Sequence, residues 1–200
     1  MRKLTLEDIA EPRAYERERE RFRAEIIGIK RRRRIALGML LTLVFENRQT
    51  VRFQVQEMVR AERMLSDEAV AHEVETYNAL IPDECELSAT LFIELTSEAL
   101  LAEWLPKFVG VQRAVGIRLG DGSLVVGEPQ DEDRLTREEI TTTVHYLKFR
   151  FTPEQRERFC AESAGGVAIV VHHREYGAEV VLTEAQHREL AEDLSDGGQG

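Results

Sequence analysis

The feature that most constrains this chain is a repeated change of hydrophobic period. Short stretches in which apolar and polar side chains alternate give way, at turn signals, to stretches with helical spacing. Alternation calls for a sheet with two unlike faces, and helical spacing places amphipathic helices against it. The chain therefore reads as α+β, a single domain with a largely antiparallel sheet of about seven strands and helices between and after its hairpins. Its 200 residues suit that size.

Residues 6–30 read as helix, with Glu11-Pro12 as a break or start and Tyr15, Phe22, Ile26 and Ile29 at helical spacing. Leu41, Leu43 and Phe45 alternate before Asn47-Arg48-Gln49, and Val51, Phe53 and Val55 alternate after it, which predicts a hairpin. A helix follows to about Leu65. Ser66 or Asp67 caps another that carries Ala69, Val70, Val74 and Tyr77. Residues 78–86 read as a loop, 89–95 as a strand, and Ser97 caps a helix that ends or kinks near Pro106. Gly120-Asp121-Gly122 turns one strand into the next. The acidic run 128–139 reads as a loop and 143–151 as a strand. Thr152-Pro153 opens a helix that Gly165-Gly166 ends, and a hairpin over 167–182 precedes a helix capped by Thr183 and Gln186. The organisation is an N-terminal helical segment (1–30), an α+β domain (31–194) and a disordered tail (195–200).

No apolar run approaches the roughly 20 residues of a membrane span. The polar N-terminus lacks a signal peptide's apolar stretch, so a cytoplasmic location is expected. Charge is divided unevenly. Residues 1–63 hold 16 basic and 10 acidic side chains, whereas the whole chain carries −10. Such a split marks either a basic binding face or two parts that attract each other or a partner subunit. An acidic total speaks against a general nucleic-acid binder.

Candidate chemistry centres on the histidines. In a strand His145 shares a face with Leu147, Phe149 and Phe151, where an imidazole must find a hydrogen-bond partner or act as a ligand. His145, His173 and Glu175 would match the two-histidine, one-carboxylate set of a non-haem iron centre, with iron or zinc as the metal and Glu57 a remote alternative carboxylate. His172 and His173, being adjacent, point to opposite faces of a strand. His187 lies on a polar helix face and reads as solvated; His72 is borderline. Cys85 and Cys160 form no Cys-x-x-Cys pair, which leaves a self-contained iron–sulfur cluster without ligands. Cys85 sits between Glu84 and Glu86, a negative field that makes a poor nucleophile. Phosphate-loop, dinucleotide and nucleophile-elbow motifs are missing from the sequence.

Arg31-Arg32-Arg33-Arg34 is the densest cationic run, and Arg52 adds to it on the polar face shared with Gln54. The run suits an acidic partner surface. An RNA-binding reading is weaker, because no aromatic stacking set accompanies it. Glu57 and Arg60 are spaced to pair along one helix.

The segments FENRQTVRFQVQEMVRAER, YNALIPDE, ATLFIEL, VHYLKF and VHHREY, in this order, resemble an uncharacterised bacterial domain-of-unknown-function family, over residues 4–194. Members are commonly encoded beside rubrerythrin-like diiron proteins and iron–sulfur oxidoreductases. The resemblance implies a redox or peroxide-stress setting with such a protein as partner, and it transfers no catalytic residue. The leading expectation is a non-enzymatic accessory or binding protein whose contacts run through the basic N-terminal region. The alternative is a metalloprotein or oxidoreductase.

Overall fold

Pro12 opens the first long element, α1 (Pro12–Arg33), after a short 3-10 turn at Leu6–Asp8, in a computed structural model that describes residues 1–130, 136–137 and 140–196. Proline suits that position because its missing N–H would have no helical partner. α1 runs directly into β1 (Arg34–Leu37), and a turn holding Gly38 leads to β2 (Leu41–Glu46). There follow α2 (Arg48–Ala61), α3 (Asp67–Asn78), β3 (Glu86–Ile93), α4 (Glu98–Lys107), β4 (Val115–Arg118) and β5 (Leu124–Gln130). A short pair, β6 (Thr136–Arg137) and β7 (Ile140–Thr141), precedes β8 (Val144–Arg150). The chain closes with α5 (Pro153–Ala161), β9 (Ala168–His173), β10 (Tyr176–Val181) and α6 (Glu184–Asp196).

Eight strands pair antiparallel in the order β1-β2-β3-β8-β5-β4-β9-β10. The sheet curls until its end strands lie side by side, nearly closing a barrel. Alternate residues such as Phe45, Leu91, Ile117, Phe149 and Ile169 fill its interior, to which α5 adds Phe159 and α6 adds Leu190 and Leu194. Tyr176 of β10 spans the seam to the β1 end: its hydroxyl donates to the Leu37 carbonyl (2.7 Å) and accepts from Leu40 N–H (3.3 Å). Gly38 makes room for that hydroxyl. A Cβ there would stand 2.2 Å from Tyr176 Oη, and its φ of +72° disfavours any other residue. A second core of Val51, Val55, Val59, Val70, Val74 and Ile81 lies beneath α2 and α3, with Leu4 of the N-terminal segment and half-buried Tyr146 of β8 against it.

The main departure from the sequence reading is at residues 48–61. The predicted hairpin strand over Val51–Val55 is instead the first half of α2, and the hairpin is formed by β1 and β2. Asn47 is a helix cap, not a turn: its side chain accepts from the Gln49 and Thr50 N–H groups. Val51, Val55 and Val59 are buried at helical spacing, while Phe53 turns away to pack edge-on against Phe22 (5.6 Å). β5 extends through Gln130 into the acidic run expected to be a loop. Thr136–Arg137 and Ile140–Thr141 of that neighbourhood are strand, and 131–135 and 138–139 lie outside the described residues. α6 includes Ser195 and Asp196, expected in the tail; 197–200 lie outside the described residues. The caps expected at Ser66, Ser97, Thr152 and Thr183 form their hydrogen bonds.

Tyr176→Phe removes both seam hydrogen bonds and should lower stability by about 1 kcal/mol, read as a lower urea midpoint. Gly38→Ala should cost more than Tyr176→Phe, because it adds backbone strain to loss of the same contact.

Candidate functional site

β8 points His145 inward with Leu147 and Phe149. It is 2% exposed, and its Nε2 lies 2.9 Å from the Thr141 hydroxyl. His173, at the end of β9, uses both ring nitrogens: Nδ1 accepts from Glu175 N–H (3.3 Å), so Nε2 carries the hydrogen and donates to the Val109 carbonyl (3.2 Å). The Glu175 carboxylate pairs with Arg174 (3.2 Å). β5 and β4 separate β8 from β9 in the sheet, and the structure does not bring His145, His173 and Glu175 together. Among the described residues no group of three or more His, Cys, Asp or Glu is placed to hold a metal. His172 and His72 are exposed. His187 is buried, contrary to its expected solvation. It stacks on Phe159 (4.9 Å between centroids) with Nε2 2.8 Å from the Phe159 carbonyl, because it shares a helix stripe with Leu190 and Leu194.

The arginine run is divided by the end of α1. Arg33 is 3% exposed and holds both carboxylate oxygens of Asp193 on α6, at 2.6 and 2.8 Å, with Glu189 at 3.3 Å from its Nε. Arg32 pairs with Glu189, and Arg34 with Glu94 (2.9 Å). Arg31 is exposed and, with Lys30 beside it, has no acidic partner among the described residues. Arg52 is also committed internally: its Nε donates to the Asp8 carbonyl (2.7 Å) and its guanidinium lies 5.3 Å from the centroid of the Phe22 ring. The charge split thus reflects in part a basic helix end seated on an acidic one.

A second polar cluster, which sequence spacing did not reveal, joins α1 to α2. Tyr15 donates its hydroxyl to Glu57 (2.5 Å), and Arg19 clamps the same carboxylate through Nε (2.9 Å) and Nη2 (2.8 Å). Arg60, expected to pair with Glu57 along α2, instead meets Glu16 of α1 (2.5 Å). Spacing within one helix could not show this, since both partners lie about forty residues away.

The model of the family described as "Protein of unknown function (DUF3501)" matches residues 3–194. The chain belongs to that family. A crystal structure of a novel protein of unknown function from Burkholderia pseudomallei is similar, with 29% sequence identity and a TM-score of 0.88, covering 96% of this chain and 100% of that one. No curated protein matches. No helix among the described residues is long and apolar enough to cross a membrane.

In this DUF3501 chain, acid should act first on the α1 attachment. The Arg19 hydrogen bonds outweigh burial and, with the Tyr15 hydroxyl, hold Glu57 below the usual carboxylate range. Burial and the neighbouring Glu57 push the Tyr15 phenol far up. Burial alone would raise Asp8, but the hydrogen bonds from Arg48 and the Thr5 backbone, with the charges of Arg48 and Arg2, bring it to about 2. A carboxylate lowered in the folded state stabilises above its unfolded value and loses that contribution as pH falls through the folded one. Hydrogen exchange in α1 should therefore rise, relative to the barrel strands, below about pH 4, and Glu57→Gln should flatten that dependence. Arg33→Met takes both guanidinium hydrogen bonds from the buried Asp193 carboxylate and should cost about 3–5 kcal/mol, against almost nothing for Arg31→Met, both read from urea unfolding.

Proposed function

We propose that the protein is a non-enzymatic accessory protein that docks an acidic surface of a redox partner through the basic end of α1. The observation that carries this reading is the division of the arginine run. Arg32, Arg33 and Arg34 are matched by acids of the same chain, while Lys30 and Arg31 extend from the same helix end with no acidic partner among the described residues. Cations there complement the negative end of the helix dipole and stand on a rigid support, so they meet a partner without much ordering cost. The exposed large apolar residues among those described include no aromatic side chain, which gives single-stranded RNA no stacking platform and favours a protein partner. The redox or peroxide-stress setting rests on the resemblance of the five segments above. Rubrerythrin-like proteins and iron–sulfur oxidoreductases are accordingly the partner classes to try.

The paired reversal Lys30→Glu with Arg31→Glu should leave thermal unfolding unchanged. It should weaken binding to a purified iron–sulfur oxidoreductase or rubrerythrin-like protein from the same organism by roughly tenfold or more at low salt. Binding by the unaltered protein should fall as salt rises. Equal affinity in the reversed protein would count against docking through α1.

A further inference from the structure

α1 has 22 residues, yet only Tyr15, Ile26 and Arg33 are buried. Together with Arg19, Phe22 and Ile29 they form one seam at alternating spacings of four and three, the side that packs on α2 and, at its Arg33 end, on α6. At about 100° per residue, Pro12, Glu16, Glu20, Arg23 and Ile27 make a neighbouring stripe, and all five are exposed. Ile27 is 54% exposed, and Glu20 and Arg23 meet no opposite charge among the described residues. The same stripe borders a groove of about 510 Å³ where Pro12 and Glu16 face Val59 and Arg60 of α2 and Arg63, Met64 and Leu65 of the α2–α3 connection; Leu65 is 88% exposed. An apolar helix residue and a groove with exposed Leu65 on its wall thus stand on one side of the molecule, some 15 residues apart along α1.

We infer that this face pairs with a second copy of the chain, the two α1 helices lying antiparallel across a two-fold axis between Arg19 and Glu20. That register sets Arg23 of each copy against Glu16 of the other and brings Ile27 over the other copy's Pro12, into the groove beside Leu65. Further along, Lys30 and Arg31 pass over the adjoining hollow, whose rim carries Glu7, Glu11 and Asp67 and no basic residue. The charges select this register over its neighbours. An axis on Glu20 sets Glu20 of each copy against itself, and an axis on Arg19 takes Arg23 off Glu16 and onto the position of buried Tyr15. A slide of about one turn takes Ile27 off the groove and onto Glu16. The closed two-fold arrangement buries both outlying apolar residues, Ile27 and Leu65, twice over.

Sedimentation equilibrium at about 100 μM tests the pairing. The unaltered protein should show twice the 22.9 kDa mass of one chain. Ile27→Glu and Leu65→Glu, both at exposed positions that leave folding intact, should each show one. Arg23→Glu sets two acids together across the axis and should also be a single chain; Glu16→Arg sets two bases together there, gives up its ion pair with Arg60 of the same chain, and should likewise be single. An equimolar mixture of those two restores both charge pairs and should return to the two-chain mass. A single-chain mass for the unaltered protein, pairing that survives both Ile27→Glu and Leu65→Glu, or a mixture that stays monomeric overturns the inference. The pairing uses the same basic end as partner docking, but Leu65→Glu breaks it from the groove side and keeps Lys30 and Arg31, so the two losses are read separately.

Discussion

A buried guanidinium must have acceptors, and Arg33 finds all of its acceptors on α6. The placement of the helical layer depends on that contact. α6 is anchored in the barrel core by Leu190 and Leu194, and Gln186 at its start donates to the Arg34 carbonyl at the first residue of β1. The end of α1 and the beginning of the sheet are thereby held by one helix from the far end of the chain. Desolvating two such charges consumes much of their attraction, so the pair contributes specificity of placement more than net stability. Its selectivity lies in the alternative: a helix end seated elsewhere separates a guanidinium and a carboxylate that are both desolvated here.

The same logic runs through the polar groups between sheet and helices. Glu46, almost fully buried at the end of β2, accepts from the Thr50 hydroxyl on α2 (2.6 Å) and the Thr90 hydroxyl on β3 (2.7 Å). Lys148 meets Glu86 across the β3–β8 ladder (2.6 Å), and Lys3 reaches Asp83 (2.7 Å), which ties the N-terminal segment to the loop before β3. Each of these groups is a type that chemistry uses, and each has its protons or lone pairs engaged by a neighbour. His173 is the clearest case, with one ring nitrogen donating and the other accepting. The functional reading therefore moves outward, to the charges that the fold leaves unmatched.

Much of the fold was legible because caps and alternation are local. Thr152-Pro153, the Thr183–Gln186 pair and the inward face of His145, Leu147 and Phe149 all follow from spacing alone. Residues 51–55 were not legible, because three apolar side chains at spacing two fit a strand as well as a helix that buries Val51 and Val55 on one side and Phe53 against α1. Only the reach of the stripe to Val59 distinguishes the two. β1 was hidden by the arginines before it, since a charge run gives no sign of where a helix ends and a strand begins. His187 and the Arg33–Asp193 contact could not be read at all. What buries them comes from elements 28 and 160 residues away, and no periodicity carries that information.

α1 itself is hard to account for as a helix serving one side only. Its charged, largely solvated sequence offers one narrow seam to α2, β2 and α6, and helical stability in a protein comes mostly from a packed face. Ion pairs along its surface, Arg21 with Glu18 and Glu25 at 3.7 and 3.8 Å, add only tenths of a kcal/mol. A second covered side would explain both its length and the one large apolar residue it exposes, Ile27. It would also link self-association to docking, because the basic end that meets an acidic partner lies over the acid-rimmed hollow of a second copy. Two ligands for one surface exclude each other, so an acidic partner would draw the chain toward the unpaired state by mass action, with salt weakening both contacts alike.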